Sequence, residues 1–409
     1  MGFRERCQRG TQTLVGCTGR VAGGTSCGHA GARPCKHRRA GIPGTPPGIV
    51  PTFVFADRDS SPWGRLSALP VLVESYELER LSAQLSDVVE RVTTRIRLVG
   101  GGVDGLGEDI SPHDGEDDTL HVAGPVLPLA GEWTLGSLCE RLAELDQWPV
   151  PPQWDAARRY RNWAFESAAL DLALNQAGRA LHEVVGRDPR PVRFVNSLGL
   201  GEPPTFDPIS RRLEHHPELR FKLDATPHWT PALIEEVAAT GAVDIVDFKG
   251  HYGLELGELP ALLSMYERVV AAFPDALLED AHDLPEVAAL LEPEAHRISY
   301  DAPIYSVQDI DATPLTPRAV NIKPCRVGDL RSLFDVYAVC EARDLVTYGG
   351  GMAELDVGRG QIQLLASLFH PDAPNDVAPS GYNEDTPAAD LPLSPLPAAP
   401  APTGFRRGG

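Results

Sequence analysis

Residues 219–250 read LRFKLDATPHWTPALIEEVAATGAVDIVDFKG. A short apolar run, 219–225, gives way to helically spaced residues, 230–240, and then to a second apolar run, 242–250. Runs of roughly four to eight apolar residues bounded by turn signals read as buried strands, and i, i+3, i+4 spacing reads as an amphipathic helix. The stretch is therefore one strand–helix–strand unit. Each strand carries two charged residues two apart, Lys222 with Asp224 and Asp247 with Lys249. Alternation along a strand aims the members of each pair at one face.

The rhythm repeats on both sides. VRFVNSL (192–198) precedes it, and ALLEDAH (276–282), HRISYDAPI (296–304), AVNIKPC (319–325) and LVTYGGG (345–351) follow. Helical pieces such as ELPALLSMYERVVAAF (258–273) separate them. So many strand–helix units in sequence predict a parallel sheet, and their number favours a (β/α) barrel. An open doubly wound sheet usually carries a Gly-rich loop after its first strand, and none follows the first run here.

Residues 67–190 have a different pattern. LPVLVESYELERL (69–81) and TTRIRLVGGGVDGLGEDI (93–110) read as strands, the second turning on glycines, and TLGSLCERLAELDQW (134–148) reads as a helix. NWAFESAALDLALNQAGRALHEVVG (162–186) reads as a long helix ending near Gly186. This is a small α+β unit ahead of the barrel, which spans 191–383. Residues 1–66 are rich in Gly, Arg, Pro and Cys and show neither period, so they read as a disordered basic extension. Cys27, His29, Cys35 and His37 in that stretch lack the paired 2–4-residue spacing of a zinc finger. The Pro/Ala-rich end, 384–409, reads as a linker or as a segment packing back on the α+β unit.

The 409 residues carry a formal net charge of −20, which argues against a nucleic-acid partner. No apolar run approaches the roughly 18 residues of a membrane span, and no secretory signal is evident, so a cytoplasmic location with no membrane partner is expected. Of the seven cysteines, Cys139, Cys325 and Cys340 are scattered and read as reduced thiols.

Barrel enzymes place their chemistry at the C-terminal ends of the strands. Successive runs end in Lys222 and Asp224, Asp247 and Lys249, Glu279 and Asp280, Asp301, and Lys323. The steps of 25, 32, 22 and 22 residues from Lys222 through Asp247, Glu279 and Asp301 to Lys323 fit one βα unit each. Asp247, Glu279 and Asp301 form an all-oxygen cluster suited to Mg²⁺ or Mn²⁺. Asp280 should point away from it by strand alternation. Lys222 and Lys323 flank the cluster, and a lysine beside a bound dication can serve as a general base. His251 and His282 read as loop histidines. Gly349, Gly350 and Gly351 let backbone approach a ligand, and Glu354 can orient a lysine or the substrate.

These segments resemble the enolase superfamily, in particular its muconate-lactonizing-enzyme-like (mandelate racemase-like) branch. GLGEDI is similar to the cap turn, and ESAALDLALNQAGRAL to the helix leading into the barrel. LLEDAH and SYDAPI are similar to the fourth- and fifth-strand metal motifs. NIKPCRVGDL is similar to the sixth-strand lysine motif, and YGGGMAELDVGRG to the seventh-strand glycine loop. The resemblance implies a modified TIM-type (β/α)₇β barrel with an N-terminal α+β capping domain. It implies Mg²⁺ held by Asp247, Glu279 and Asp301. It also implies removal of the α-proton of a small carboxylate substrate to give a metal-stabilised enediolate. Barrels of this kind often associate into homo-oligomers.

Two positions depart from the branch pattern. Asp224 stands where a second-strand acid/base lysine is usual, and Lys249 where a third-strand Asn is usual. Across neighbouring strands Lys222 should meet Asp247, and Asp224 should meet Lys249. If Lys323 is the sole base, β-elimination of the dehydratase or ammonia-lyase type or cycloisomerisation follows. If Lys249 replaces the missing lysine, two opposed bases permit racemisation or epimerisation. A barrel that binds metal without turnover is the third reading.

Overall fold

The computed structural model describes residues 61–86, 89–112, 119–253 and 257–408. The candidate zinc residues Cys27, His29, Cys35 and His37 lie outside them. Helix α1 (Pro62–Ser67) begins inside the stretch, 1–66, read above as an extension. Ser61 caps its Gly64 N–H, and Leu66 is fully buried.

The cap follows. Strand β1 (Pro70–Val73) runs antiparallel to a later strand, and β2 (Ser75–Ser86), β3 (Val89–Gly100) and β4 (Val103–Asp109) form an antiparallel meander. Gly101 and Gly102 join β3 to β4 at φ 60° and 78°, the left-handed pair that a tight hairpin requires. After α2 (Thr119–Ala123) come β5 (Gly131–Thr134), which pairs with β1, and α3 (Leu135–Glu144), capped by Thr134. Helix α4 (Ala156–Ala177) lies directly on β4. A side chain at Gly105 or Gly107 would come within 2.2 Å of Ala168 O or 2.0 Å of Ala164 O, so glycine there permits the close approach. The long helix expected over 162–186 is two helices: Gly178 takes φ 62° and closes α4 before α5 (Leu181–Val185) begins.

The barrel alternates β6 (Asn196–Leu198), α6 (Asp207–His215), β7 (Phe221–Asp224), α7 (Pro231–Ala239), β8 (Val243–Asp247), α8 (Leu259–Ala272), β9 (Leu277–Glu279), α9 (Pro285–Leu291), β10 (Ile298–Tyr300), α10 (Val307–Ala312), β11 (Ala319–Ile322), α11 (Pro324–Val327), α12 (Leu330–Ala342), β12 (Val346–Gly349) and α13 (Val357–Phe369). Strands β6 to β12 form one parallel sheet in sequence order. Residues 375 and 376 join its two edges. Val195 N–H donates to Asn375 O at 2.8 Å, and Asp376 N–H donates to Gly349 O at 2.8 Å. Val195, Ile245, Ala319 and Tyr348 pack together inside the barrel, while Leu223, Val246, Leu278 and Val320 join the core that includes helix residues. Burial of roughly 25 cal/mol per Å² on both faces explains the near-continuous apolar runs.

The chain's end crosses both parts. Leu396 bridges Val192, Phe405 is buried edge-on against Trp163, and Arg406 pairs with Asp104 (2.6 Å) and Asp171 (2.5 Å). Cys139, Cys325 and Cys340 are buried free thiols. Among the described residues no helix is long and apolar enough to cross a membrane.

Candidate active site

Strands β7 to β11 end at one mouth of the barrel, and their terminal residues converge there. Asp247, Glu279, Asp280 and Asp301 are all fully buried, and each offers an oxygen within 4.8 Å of the others. Four hard oxygen donors at this spacing suit Mg²⁺, whose six-coordinate shell would take its remaining ligands from water or substrate. Asp280 corrects the expectation from alternation. Strand β9 stops at Glu279, Asp280 turns at φ 52°, and its carboxylate accepts the Asp301 and Ala302 N–H groups at 2.8 Å each.

Lys222 is 1% exposed, and its ammonium lies inside this group. It bonds Glu279 and sits 3.3 Å from Asp247 and 3.8 Å from Asp301. Lys323, just past β11, bonds Asp301 at 2.8 Å. Lys249 bonds Asp247 and lies 3.0 Å from Asp224 Oδ1. Both anticipated ion pairs form, but not through the anticipated registration. Asp224 is level with Asp247, and Lys222 with Ile245. Lys249 stands beyond the end of β8 at φ 53°, with its N–H bonded to Asp247 Oδ1 at 2.9 Å, and folds back over the mouth. A left-handed backbone is ordinary for Asn and strained for Lys, so the two carboxylates hold Lys249 against that cost.

The glycine loop follows β12. A methyl at Gly350 would lie 2.5 Å from Lys323 Cε and 2.6 Å from Asn321 Oδ1, so this glycine forms one wall of the lysine's channel. Gly351 lies beside Glu354 and Arg359 instead. Glu354 is buried, accepts Met352 N–H at 2.8 Å and faces Arg359 at 3.4 Å, so its partners are not lysines. His251 lies 3.8 Å from Asp283, and His282 bonds the Tyr266 hydroxyl at 2.8 Å.

Sequence reasoning missed three neighbours besides Asp280. Arg326 bonds the Asp301 carboxylate and, at 2.5 Å, its carbonyl. The signal was its place three residues after Lys323, which a short helix such as α11 turns to the same side. The Tyr348 hydroxyl donates to Glu279 and shares a bond with Ser299 Oγ. Tyr252 reaches Asp301 at 3.4 Å from the loop after β8.

Charges sort the carboxyls. Burial alone would raise Asp301, but Arg326, Lys323 and Lys222 outweigh it and hold its carboxyl well below the usual range. Asp247 is likewise lowered against burial, by Lys249 and Lys222. Glu279 moves up, from burial and from the like charges of Asp247 and Asp301, despite Lys222. Asp280 is pushed up to about 6 by burial and by Asp301 and Asp247. Burial works to lower Lys222, yet Glu279, Asp247 and Asp301 keep it raised and charged.

Family models of a domain of unknown function, DUF8230, match this chain in two parts, the N-terminal domain over residues 64–184 and the C-terminal domain over 188–384. N-succinylamino acid racemase of Thermus thermophilus is 26% identical over 307 residues, covering 71% of this chain and 79% of that protein. o-Succinylbenzoate synthase of Bacillus subtilis is 25% identical over 235 residues, covering 55% of this chain and 62% of that protein. Among solved structures, the dipeptide epimerase of Methylococcus capsulatus with Mg and the dipeptide L-Arg-D-Lys superposes with a TM-score of 0.60 at 17% identity, covering 76% of this chain and 91% of that one. An enolase-superfamily member from Listeria innocua gives 0.56 at 20% identity, covering 76% and 86%. These two likenesses speak to the fold.

Proposed function

This chain carries both domains of the DUF8230 family and belongs to the enolase superfamily, in its muconate-lactonizing-enzyme-like branch, and from that premise we propose that it removes the α-proton of a small carboxylate with Lys323 as the base. The observation that carries this reading is the convergence of Asp247, Glu279, Asp280 and Asp301 at the barrel mouth, with Lys323 Nζ 2.8 Å from Asp301. Mg²⁺ held by those carboxylates would supply the positive charge that makes an α-proton of a carboxylate removable.

With Lys323 neutral, as a base must be, Asp224, Asp247, Glu279, Asp280 and Asp301 formally face Lys222, Lys249 and Arg326, leaving two negative charges that a dication would balance. Lys222 stays protonated among three carboxylates and serves as a fixed counter-charge. Asp224 and Lys249 form an ion pair at the rim. Arg326 holds Asp301 Oδ1 while Lys323 bonds Oδ2, so the carboxylate that bonds Lys323 is fixed in direction.

With Lys323 as the only base, β-elimination or cycloisomerisation follows, in keeping with the synthase relatives. The racemase relatives fit a second reading, in which Lys249 returns the proton from the other face. Its support is that Lys249 and Lys323 contact Asp247 and Asp301, the outer members of the cluster in strand order.

The test is α-carbon deuterium uptake from deuterated buffer with Mg²⁺ and a panel of small carboxylates. Lys323→Ala should abolish uptake. Retained uptake in Lys249→Ala would rule out the two-base version. Absence of uptake from every carboxylate in wild-type protein would favour the barrel without turnover.

A further inference from the structure

The loop after β12 is gripped by the cap. Glu108, near the end of β4, is 1% exposed. Its carboxylate accepts the N–H groups of Leu355 (2.6 Å), Asp356 (3.0 Å) and Gly358 (3.0 Å), and the Thr93 hydroxyl (2.8 Å). Those amides lie at the start of α13, where the N-cap residue Asp356 makes no side-chain capping bond of its own. A cap carboxylate therefore satisfies donors that a barrel helix leaves open, in the place where negative charge is most favourable. Arg91 on β3, 7% exposed, donates to the carbonyls of Met352 (3.1 Å), Ala353 (3.1 Å) and Ile110 (3.0 Å). Ala353 sits at φ 60°, a costly backbone for a residue with a Cβ, and Arg91 holds its carbonyl in that turn.

The other end of this loop is the wall of the lysine channel. Gly350 abuts the Lys323 side chain, and Asn321, the inward residue two before Lys323, has a fully buried amide with no hydrogen-bond partner. Asn321 therefore gives Lys323 no hydrogen-bonded brace. The direction of the lysine depends on the Asp301 bond at its tip and on the Gly350 wall along its stem.

We propose that Arg91 and Glu108 are positioning residues for Lys323, acting across the cap–barrel boundary by fixing the loop 350–358 that confines it. The proposal rests on Lys323 being the base, but its geometric content can be measured without turnover. In full-length protein, backbone hydrogen exchange of 350–358 and labelling of Lys323 by an amine-acylating reagent, both read by mass spectrometry, compare wild type with Glu108→Gln and Arg91→Ala. Losing a charge-assisted bond should speed exchange at the Leu355, Asp356 and Gly358 amides by about tenfold in Glu108→Gln. Labelling of Lys323 should change by about threefold or more, and α-deuteration should lose about tenfold in kcat with KM nearly unchanged, because the substrate's own contacts are intact. Arg91→Lys should recover part of the loss seen in Arg91→Ala, which a purely structural defect would not show. Mg²⁺ affinity should stay at the wild-type value, since neither residue touches the carboxylate cluster.

If Lys323 labelling stays within twofold of wild type in both variants, the proposal is overturned, whether or not the loop amides exchange faster. If wild-type protein deuterates no carboxylate, the functional reading fails, while exchange and labelling still decide the positioning claim. Should Arg91→Ala not fold, Glu108→Gln, which preserves shape and an acceptor oxygen, carries the test.

Discussion

Gly350→Ala isolates the lysine channel from every other feature of the site. Gly350 has no positive φ, so the new methyl adds bulk without backbone strain. It would lie 2.5 Å from Lys323 Cε, whereas unstrained carbon atoms sit about 3.5–4.0 Å apart. The lysine stem must therefore move by about 1 Å, and Asn321 Oδ1, 2.6 Å from the same methyl, blocks part of the retreat. A displacement of about 1 Å at a reacting group costs about a hundredfold in rate, and overpacking costs about 1–3 kcal/mol of stability. The assay is α-deuteration under saturating carboxylate, with urea unfolding alongside to separate the two effects. Gly199→Ala is the control, because a methyl there meets nothing within 4 Å. Should Gly350→Ala deuterate substrate at the wild-type rate while folding normally, the glycine wall does not set the position of Lys323.

Two buried groups give opposite pH dependences of stability. Glu166 is pushed up to about 7 from 4.5, by burial and then by Asp329 against the Leu330 N–H bond. The folded state thus holds the proton more tightly, and stability falls by about 3 kcal/mol as pH rises from 4.5 to 7. His370 is lowered from 6.5 to about 4 by burial, against its bond to Asn375, so the folded state resists protonation. Its contribution of about 3 kcal/mol is complete above pH 6.5 and lost as pH falls to 4. The slopes cancel between 4.5 and 6.5. Glu166→Gln should therefore gain stability relative to wild type as pH rises through that window, and His370→Gln should lose it, measured by urea unfolding at three pH values. Identical slopes in wild type and Glu166→Gln would refute the assignment. Arg406→Met should cost about 2 kcal/mol, because it strips the cation from fully buried Asp171, yet less than the ~3–5 of a fully buried pair since Arg406 is partly exposed. A loss under about 0.5 kcal/mol would place the terminal segment among surface ion pairs.

The barrel and its acidic mouth were legible because both are repeats. Each strand that is buried on two faces writes an apolar run, and the strand ends that meet at the mouth write charges there, as at Asp247, Glu279 and Asp301. The branch resemblance was legible in the order of short motifs, and the relatives named above agree with it. The fine geometry was not. Alternation placed Asp280 wrongly because it lies past the last residue of its strand, at φ 52°, where period two no longer applies; Lys249, likewise past its strand at φ 53°, meets Asp224 as expected, but by folding back over the mouth rather than by registration. Gly178 reads in sequence as a tolerated helical glycine, and only its left-handed conformation makes it a stop.

What the sequence determined by itself is the set of elements and the kinds of charge they deliver, since periodicity and residue chemistry are local. Only the tertiary structure decided which charges meet. Arg326 reaches Asp301 over 25 positions of chain, Tyr348 reaches Glu279 over 69, and Glu108 reaches Gly358 over 250. Such contacts depend on strand registration and on how the cap sits on the barrel. Both are set by the packing of the whole core, and no short window of residues encodes them.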